Sequence, residues 1–171
     1  MRAPPYLFLV LGLLVAGPAA AAEREEIGLR VVTEYIDDEN LRQQGIFIRW
    51  RPEDARRLRW EVAFGTLHEG SKDRLFVSGG PLWRFTPAQD WRTARFVIDF
   101  GVNPTLLSDY KFSKVDLGGR FQFTSFLSAG LRFGREQSSR LAVRLQHISN
   151  AGIYDRNPGT DQLGVEFSHR F

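Results

Sequence analysis

The stretch "HISNAGIYDRNPGTD", His147 to Asp161, holds a histidine, a serine two residues on and an aspartate twelve residues beyond the serine. Those three residue types are what nucleophilic cleavage of an ester requires. A serine hydroxyl is a weak nucleophile near neutral pH and needs a base. An imidazole can take that proton and return it to the leaving alcohol. A carboxylate can orient the imidazole and stabilise its charged form. In this reading Ser149 is the nucleophile, His147 the base and Asp161 the acid member. Asn150 and the amides around Ala151 and Gly152 are placed to donate hydrogen bonds to a developing oxyanion. The chemistry calls for no metal and no cofactor. His68 and His169 fall on other strand positions and complete no metal cage. A serine, a histidine and an aspartate can equally be two strand ends and a loop, because such a trio is recognised by geometry rather than by order in the chain.

What positions the three is a pattern of alternation that recurs from end to end. "IGLRVVTE" sets Ile27, Leu29, Val31 and Thr33 on one face. "QGIFIRWR" sets Ile46, Ile48 and Trp50 against Arg49. "RLRWEVAFGTLH" sets Leu58, Trp60, Val62 and Phe64 against Arg59 and Glu61. "RLFVSGGPLWRF" is weaker, with Trp83 and Phe85 flanking Arg84. "ARFVIDFGVN" sets Phe96, Ile98, Phe100 and Val102 against Arg95, Asp99 and Asn103. "GGRFQFTSFLSAGLRF" sets Phe121, Phe123, Leu127, Leu131 and Phe133 against Arg120, Gln122, Thr124, Ser128 and Arg132. "RLAVRLQHIS" sets Leu141, Val143 and Leu145 against Arg144 and Gln146. "DQLGVEFSHRF" sets Leu163, Val165, Phe167 and Phe171 against Gln162, Glu166, Ser168 and Arg170.

Eight such segments predict an all-β fold, an eight-stranded antiparallel barrel of the outer-membrane kind with an apolar exterior and a polar interior. A soluble sandwich or a lipocalin-like barrel also alternates, but charges facing a dry sandwich core would be very costly. Aromatic residues make up 13% of the 171 residues, 14 of them Phe, while mean hydropathy is mildly negative. An apolar wall around a polar lumen accounts for both. Short turns are expected at Pro52–Arg56, Pro87–Trp91 and Arg135–Ser138, and a link at Glu69–Asp73 that is shorter than the remaining loops. Longer loops are expected at Tyr35–Gln43, Pro104–Val115 and Asn150–Thr160. The long loops belong outside the cell and the turns in the periplasm. Trp50, Trp60, Trp83 and Trp91 fall near the turn ends and read as an interfacial girdle.

Parity then places the trio. Counting by two from Leu141, Val143 and Leu145 reaches His147 and Ser149. Counting back by two from Phe167, Val165 and Leu163 reaches Asp161. All three share the apolar, outward face. Glu166, a tempting carboxylate, has the opposite parity and points into the lumen. Consecutive strands pair as neighbours, so the trio can meet at the outer rim.

Residues 1–22, "MRAPPYLFLVLGLLVAGPAAAA", carry one Arg, a short apolar run and small residues, the features of a secretory signal peptide cleaved after Ala22. The remaining 23–171 are expected to form the barrel as a single domain. The chain has no Cys, so it carries no disulfide and no acylated cysteine tether. Without the signal, 22 basic residues face 20 acidic ones, a balance that excludes a nucleic-acid-binding surface.

At "H-x-S-N-A-G" (His147, Ser149, Asn150, Ala151, Gly152), continuing through "NPG" to Asp161, the sequence resembles the PagL family of lipid A 3-O-deacylases. The likeness is strongest from about Gly118 to Phe171, and the terminal Phe171 resembles the ending of bacterial outer-membrane barrels, with His169 departing from the usual apolar residue. The resemblance implies bacterial outer-membrane localisation and removal of the ester-linked 3-hydroxyacyl chain at position 3 of lipid A in lipopolysaccharide. It implies Ser149 as nucleophile, His147 as base and Asn150 as oxyanion donor. The family pattern carries Glu at the acid position, where this chain has Asp161. The expected partners are lipid A and the outer membrane, with a homodimer left open by the sequence.

Two other readings stay open: a non-catalytic structural barrel, and a phospholipase or acyltransferase barrel. The acidic run Glu34–Asn40 lacks the spacing and glycine of a calcium loop and reads as a solvated segment. Arg42, Lys111, Lys114 and Arg156 lie in or beside long loops, where they serve solubility or meet lipid phosphates.

Overall fold

The computed structural model describes residues 23–36, 40–53, 55–86 and 95–171. The proposed signal segment, the turn at Pro87–Trp91 with Trp91, Asp54 of the first turn, and residues 37–39 of the acidic run lie outside the described residues. Eight strands follow in order: β1 (Glu23–Glu34), β2 (Arg42–Arg51), β3 (Leu58–Glu69), β4 (Lys72–Phe85), β5 (Phe96–Leu107), β6 (Phe121–Phe133), β7 (Ser139–Ser149) and β8 (Thr160–His169). Each pairs antiparallel with the next, and β8 pairs with β1, closing the barrel.

Every segment singled out by alternation is a strand, and several strands run into stretches expected as connections: β2 begins at Arg42, β3 ends at Glu69 and β4 begins at Lys72. The loop expected from Pro104 begins only at Ser108, because β5 continues to Leu107. Pro104 sits in the strand opposite Phe123. The ladder between β4 and β5 lapses between Ser78↔Thr105 and Leu82↔Gly101, the stretch holding both Pro81 and Pro104. A proline has no N–H for a ladder, and two of them facing one seam confine the loss to that seam. Thr160, expected in the last loop, opens β8.

The two faces separate as alternation requires. Leu29, Leu131, Val143 and Val165 are exposed on the outer wall. Near the turn ends Trp50 lies directly opposite Trp60, and Trp83 stacks on Phe100 with ring centroids 5.7 Å apart, forming an outward aromatic patch.

The inner face is a fully buried ion network. The Glu166 carboxylate accepts hydrogen bonds from Arg30 Nε (2.8 Å), Arg49 Nη2 (3.1 Å), Arg140 Nη1 (3.2 Å) and Arg144 Nη1 (2.9 Å). Arg30 and Arg49 also reach Glu61, while Arg84 bridges Glu26 and Asp99. Toward the outer mouth the filling turns apolar. Inward residues Phe47, Ala63, Leu67, Phe76, Leu107 and Ile148 pack with loop residues that include Leu41, Phe112, Val115 and Leu117. This layer caps the charged interior.

Removing one member of a buried ion network leaves its partners uncompensated, at a cost of about 3–5 kcal/mol. Glu166→Gln is therefore expected to lower stability by roughly that amount, read as an earlier urea midpoint of the heat-modifiable folded band on a gel. An unchanged midpoint would show that the lumen charges are satisfied without Glu166.

Candidate active site

The register of the last hairpin sets the site. β7 pairs with β8 so that His147 lies directly opposite Asp161. Opposed side chains start with Cβ atoms about 5 Å apart, within reach of a short carboxylate. His147 Nδ1 and Asp161 Oδ1 are 2.9 Å apart. A carboxylate accepts, so Nδ1 carries the proton and Nε2 is left as the acceptor that a base requires. Both side chains face outward and are accessible, 43% and 40% exposed.

Ser149 follows two positions along β7 on the same outer face, opposite Phe123 of β6. It closes no hydrogen bond to His147 in this structure. Catalytic hydrogen bonds are commonly long without substrate and tighten in the complex. All three residues occupy outward positions of β7 and β8, and the hairpin brings His147 and Asp161 into contact, with Ser149 two positions along β7.

Gly159 is a further residue of the site. Its φ is +69°, in the left-handed region, and a Cβ there would lie 2.7 Å from His147 Cε1 and 3.1 Å from Nε2. The chain re-enters β8 against the imidazole edge, where only a glycine leaves the ring its space. Periodicity gives no sign of this. The "NPG" turn signal marked a loop but not what the loop packs on.

Asn150 differs from its expected orientation. It is fully buried, and its side-chain amide donates to Leu117 O (3.0 Å) and Arg156 O (2.6 Å). Its Oδ1 accepts from Gly152 N at 3.0 Å, and its backbone N–H donates to Asn157 Oδ1 at 2.9 Å. The side chain fastens the loop rather than facing the outer surface. Of the expected oxyanion donors, the Ala151 N–H alone has no partner among the described residues. Ala151 and Gly152 both have positive φ, 53° and 79°, which turns this stretch sharply just beyond Ser149.

The other histidines show what distinguishes the site. His68 pairs with Asp73 at 2.6 Å, but Thr66, not serine, is two positions along its strand, and a tight turn at Gly70 follows. His169 Nδ1 lies 3.2 Å from Ser139 Oγ at the other rim, with no carboxylate bonded to it. Only His147 has both an aspartate and a neighbouring serine. No group of three or more potential metal ligands occurs among the described residues.

The fold and site thus define an eight-stranded barrel with a charged lumen and a serine, histidine and aspartate grouped on its outer rim. A family model described as "Lipid A 3-O-deacylase (PagL)" matches residues 43–170, and the chain belongs to that family. A relative from Bordetella bronchiseptica, "Lipid A deacylase PagL", is 35% identical over 95 residues, 56% of this chain. That match spans 49%, about half, of the relative's length. A solved structure, "Crystal structure of the outer membrane enzyme PagL", superposes with a TM-score of 0.70 at 19% identity, covering 85% of this chain and 99% of the other. It shows the shared barrel.

Replacing Gly159 with alanine is expected to displace the imidazole and break the His147–Asp161 hydrogen bond. The readout is loss of the downfield Nδ1–H proton resonance, with the folded band on a gel retained. A resonance that survives in Gly159→Ala would show that the ring has room to spare.

Proposed function

We propose that this chain is an outer-membrane esterase that removes the 3-O-linked 3-hydroxyacyl chain of lipid A, with residues 1–22 removed on export. The observation that carries the reading is the His147–Asp161 pair, in direct register, with Ser149 two positions along β7 on the same outer face. Polar side chains on a lipid-facing surface cost least at the interface, about 0–1 kcal/mol, which fits their place at the rim. Acyl chains of the outer leaflet lie against that wall, so the substrate reaches the site by lateral diffusion. The lumen, filled with ion pairs and capped by apolar side chains, offers no route for an amphiphile.

The reaction runs as acyl transfer to serine. A rotation of the Ser149 side chain brings Oγ to Nε2, which takes the hydroxyl proton as Oγ attacks the ester carbonyl carbon. Asp161 holds the Nδ1–H and stabilises the imidazolium. The Ala151 N–H is the donor free to meet the oxyanion. Collapse of the tetrahedral intermediate breaks the bond to the sugar oxygen, and the imidazolium returns its proton to that oxygen. Water activated by the same imidazole then hydrolyses the acyl-enzyme, releasing the 3-hydroxy fatty acid and restoring Ser149.

Lipid A from Gram-negative cells producing the wild-type chain is expected to lose one 3-hydroxyacyl group by mass spectrometry. Ser149→Ala and His147→Ala, folded to the same level, leave it intact. Asp161→Asn presents the wrong hydrogen-bonding partner to the ring and is expected to slow the reaction by about 10³–10⁴-fold. Unmodified lipid A with a folded wild-type barrel overturns the reading, and cleavage of phospholipid instead reassigns the substrate.

A further inference from the structure

Above the rim, two outer loops close on each other. The segment after β5 folds back through a bridge between Lys111 and Asp116. The segment after β7 meets it at backbone distance. A Cβ on Gly118, whose φ is +83°, would lie 1.9 Å from Arg156 O, and one on Gly119 would lie 2.0 Å from the Tyr154 ring. Asn150 ties the two loops together through Leu117 O and Arg156 O, and Arg156 Nη1 lies 3.3 Å from Asp116 Oδ2. Between them is a cleft of about 490 Å³ whose lining includes Tyr110, Lys111, Asp116, Tyr154, Asp155 and Arg156.

That lining has a definite chemistry. Two tyrosine rings can pack on the faces of a sugar. Two carboxylates can accept from its hydroxyls, and two cations can meet a phosphate. The volume lies within the usual range for a small-molecule site. Its cations are available for exchange. Arg156 is 71% exposed in its pair with Asp116, and an exposed ion pair is worth only about 0–1 kcal/mol. The Lys111 ammonium lies over the Tyr110 ring at 5.5 Å, on an exposed side chain.

Resting on the deacylase reading above, we propose that this cleft holds the phosphorylated glucosamine of the substrate, with Lys111 and Arg156 at the phosphate. The reacting carbonyl is joined to the sugar ring through a single ester oxygen. A carbonyl at Ser149 therefore requires a sugar ring immediately beside the rim, on the side where the loops rise. Asn150 is bonded to Arg156 and adjoins both Ser149 and Ala151. A headgroup seated in the cleft thereby braces the turn that carries the Ala151 N–H.

Binding is measured with Ser149→Ala in detergent micelles, so that no turnover occurs, using bisphosphorylated and enzymatically dephosphorylated lipid A. Two charge-assisted contacts are expected to make the phosphorylated form bind at least about tenfold more tightly. Adding Lys111→Ala and Arg156→Ala together should collapse that ratio to about one, and Lys111→Ala with Arg156→Lys should restore part of it. Equal affinity for the two lipids, or a preference that survives the double substitution, overturns the proposal. If inorganic phosphate competes as well as glucosamine 1-phosphate does, the cleft is a phosphate site and the sugar assignment fails. Lipid A mass in cells producing the wild-type chain tests the deacylase reading separately. A binding preference without any deacylation would sink that reading and leave the cleft standing.

Discussion

Glu166 and the four guanidinium groups around it determine which way the last hairpin faces. Side chains alternate strictly along a strand, so fixing one residue inside fixes its odd-numbered neighbours outside. Glu166 is held by Arg30, Arg49, Arg140 and Arg144 from β1, β2 and β7. A one-residue slip of β8 would place this carboxylate on an apolar wall and push Val165 and Leu163 among buried arginines. Both errors are expensive. A carboxylate on a lipid-facing wall at mid-depth is penalised, though by less than the ~2–4 kcal/mol of an arginine or lysine, and the abandoned arginines would lose their counter-charge. The ion network therefore specifies register more than it adds net stability. Asp161, five positions from Glu166, is held outward by it and lands opposite His147.

The apolar cap at the outer mouth has a complementary effect. Phe112, Val115 and Leu117 descend from the loop after β5 onto inward residues of the barrel, and Glu69 at the end of β3 accepts the backbone N–H groups of Ser113 and Lys114. A loop fastened at both its apolar and its polar groups can serve as a support. It is Leu117 O that receives Asn150 Nδ2. Rigidity at the residue after Ser149 thus originates in packing inside the barrel, on the other side of the wall from Ser149 and His147.

Strand periodicity made the barrel legible because the outer and inner faces of a closed sheet have opposite solvents. Arg49, Glu61, Asp99 and Glu166 could be placed inside from their spacing alone, and His147, Ser149 and Asp161 outside by the same count. Parity fails where the inside is not polar. Phe47, Phe76 and Phe126 have inward parity and are buried, with Arg144 stacked 3.7 Å above the Phe126 ring. Nothing in alternation foretells which inward positions belong to a charged layer and which to an apolar cap. The loops were less legible still. Asn150 reads as an oxyanion donor when only its neighbours in sequence are considered. Its actual partners, Leu117 and Arg156, lie 33 and 6 residues away, and no local pattern announces them. Gly159 belongs to the same class, its importance being a contact with a ring twelve residues earlier.

The fit of an aspartate opposite His147 follows from register. A glutamate carries its carboxylate one methylene farther from the backbone and suits a partner displaced along the strand or across a wider gap. Here the pairing is direct, and the shorter side chain already spans to Nδ1 at 2.9 Å. At that separation the extra carbon of a glutamate would have to fold back or tilt the imidazole. The ring has little freedom to tilt, since Gly159 lies against its Cε1–Nε2 edge. Aspartate at 161, direct opposition to His147 and a bare glycine at 159 form one geometric solution. A change at one alters the space open to the other two.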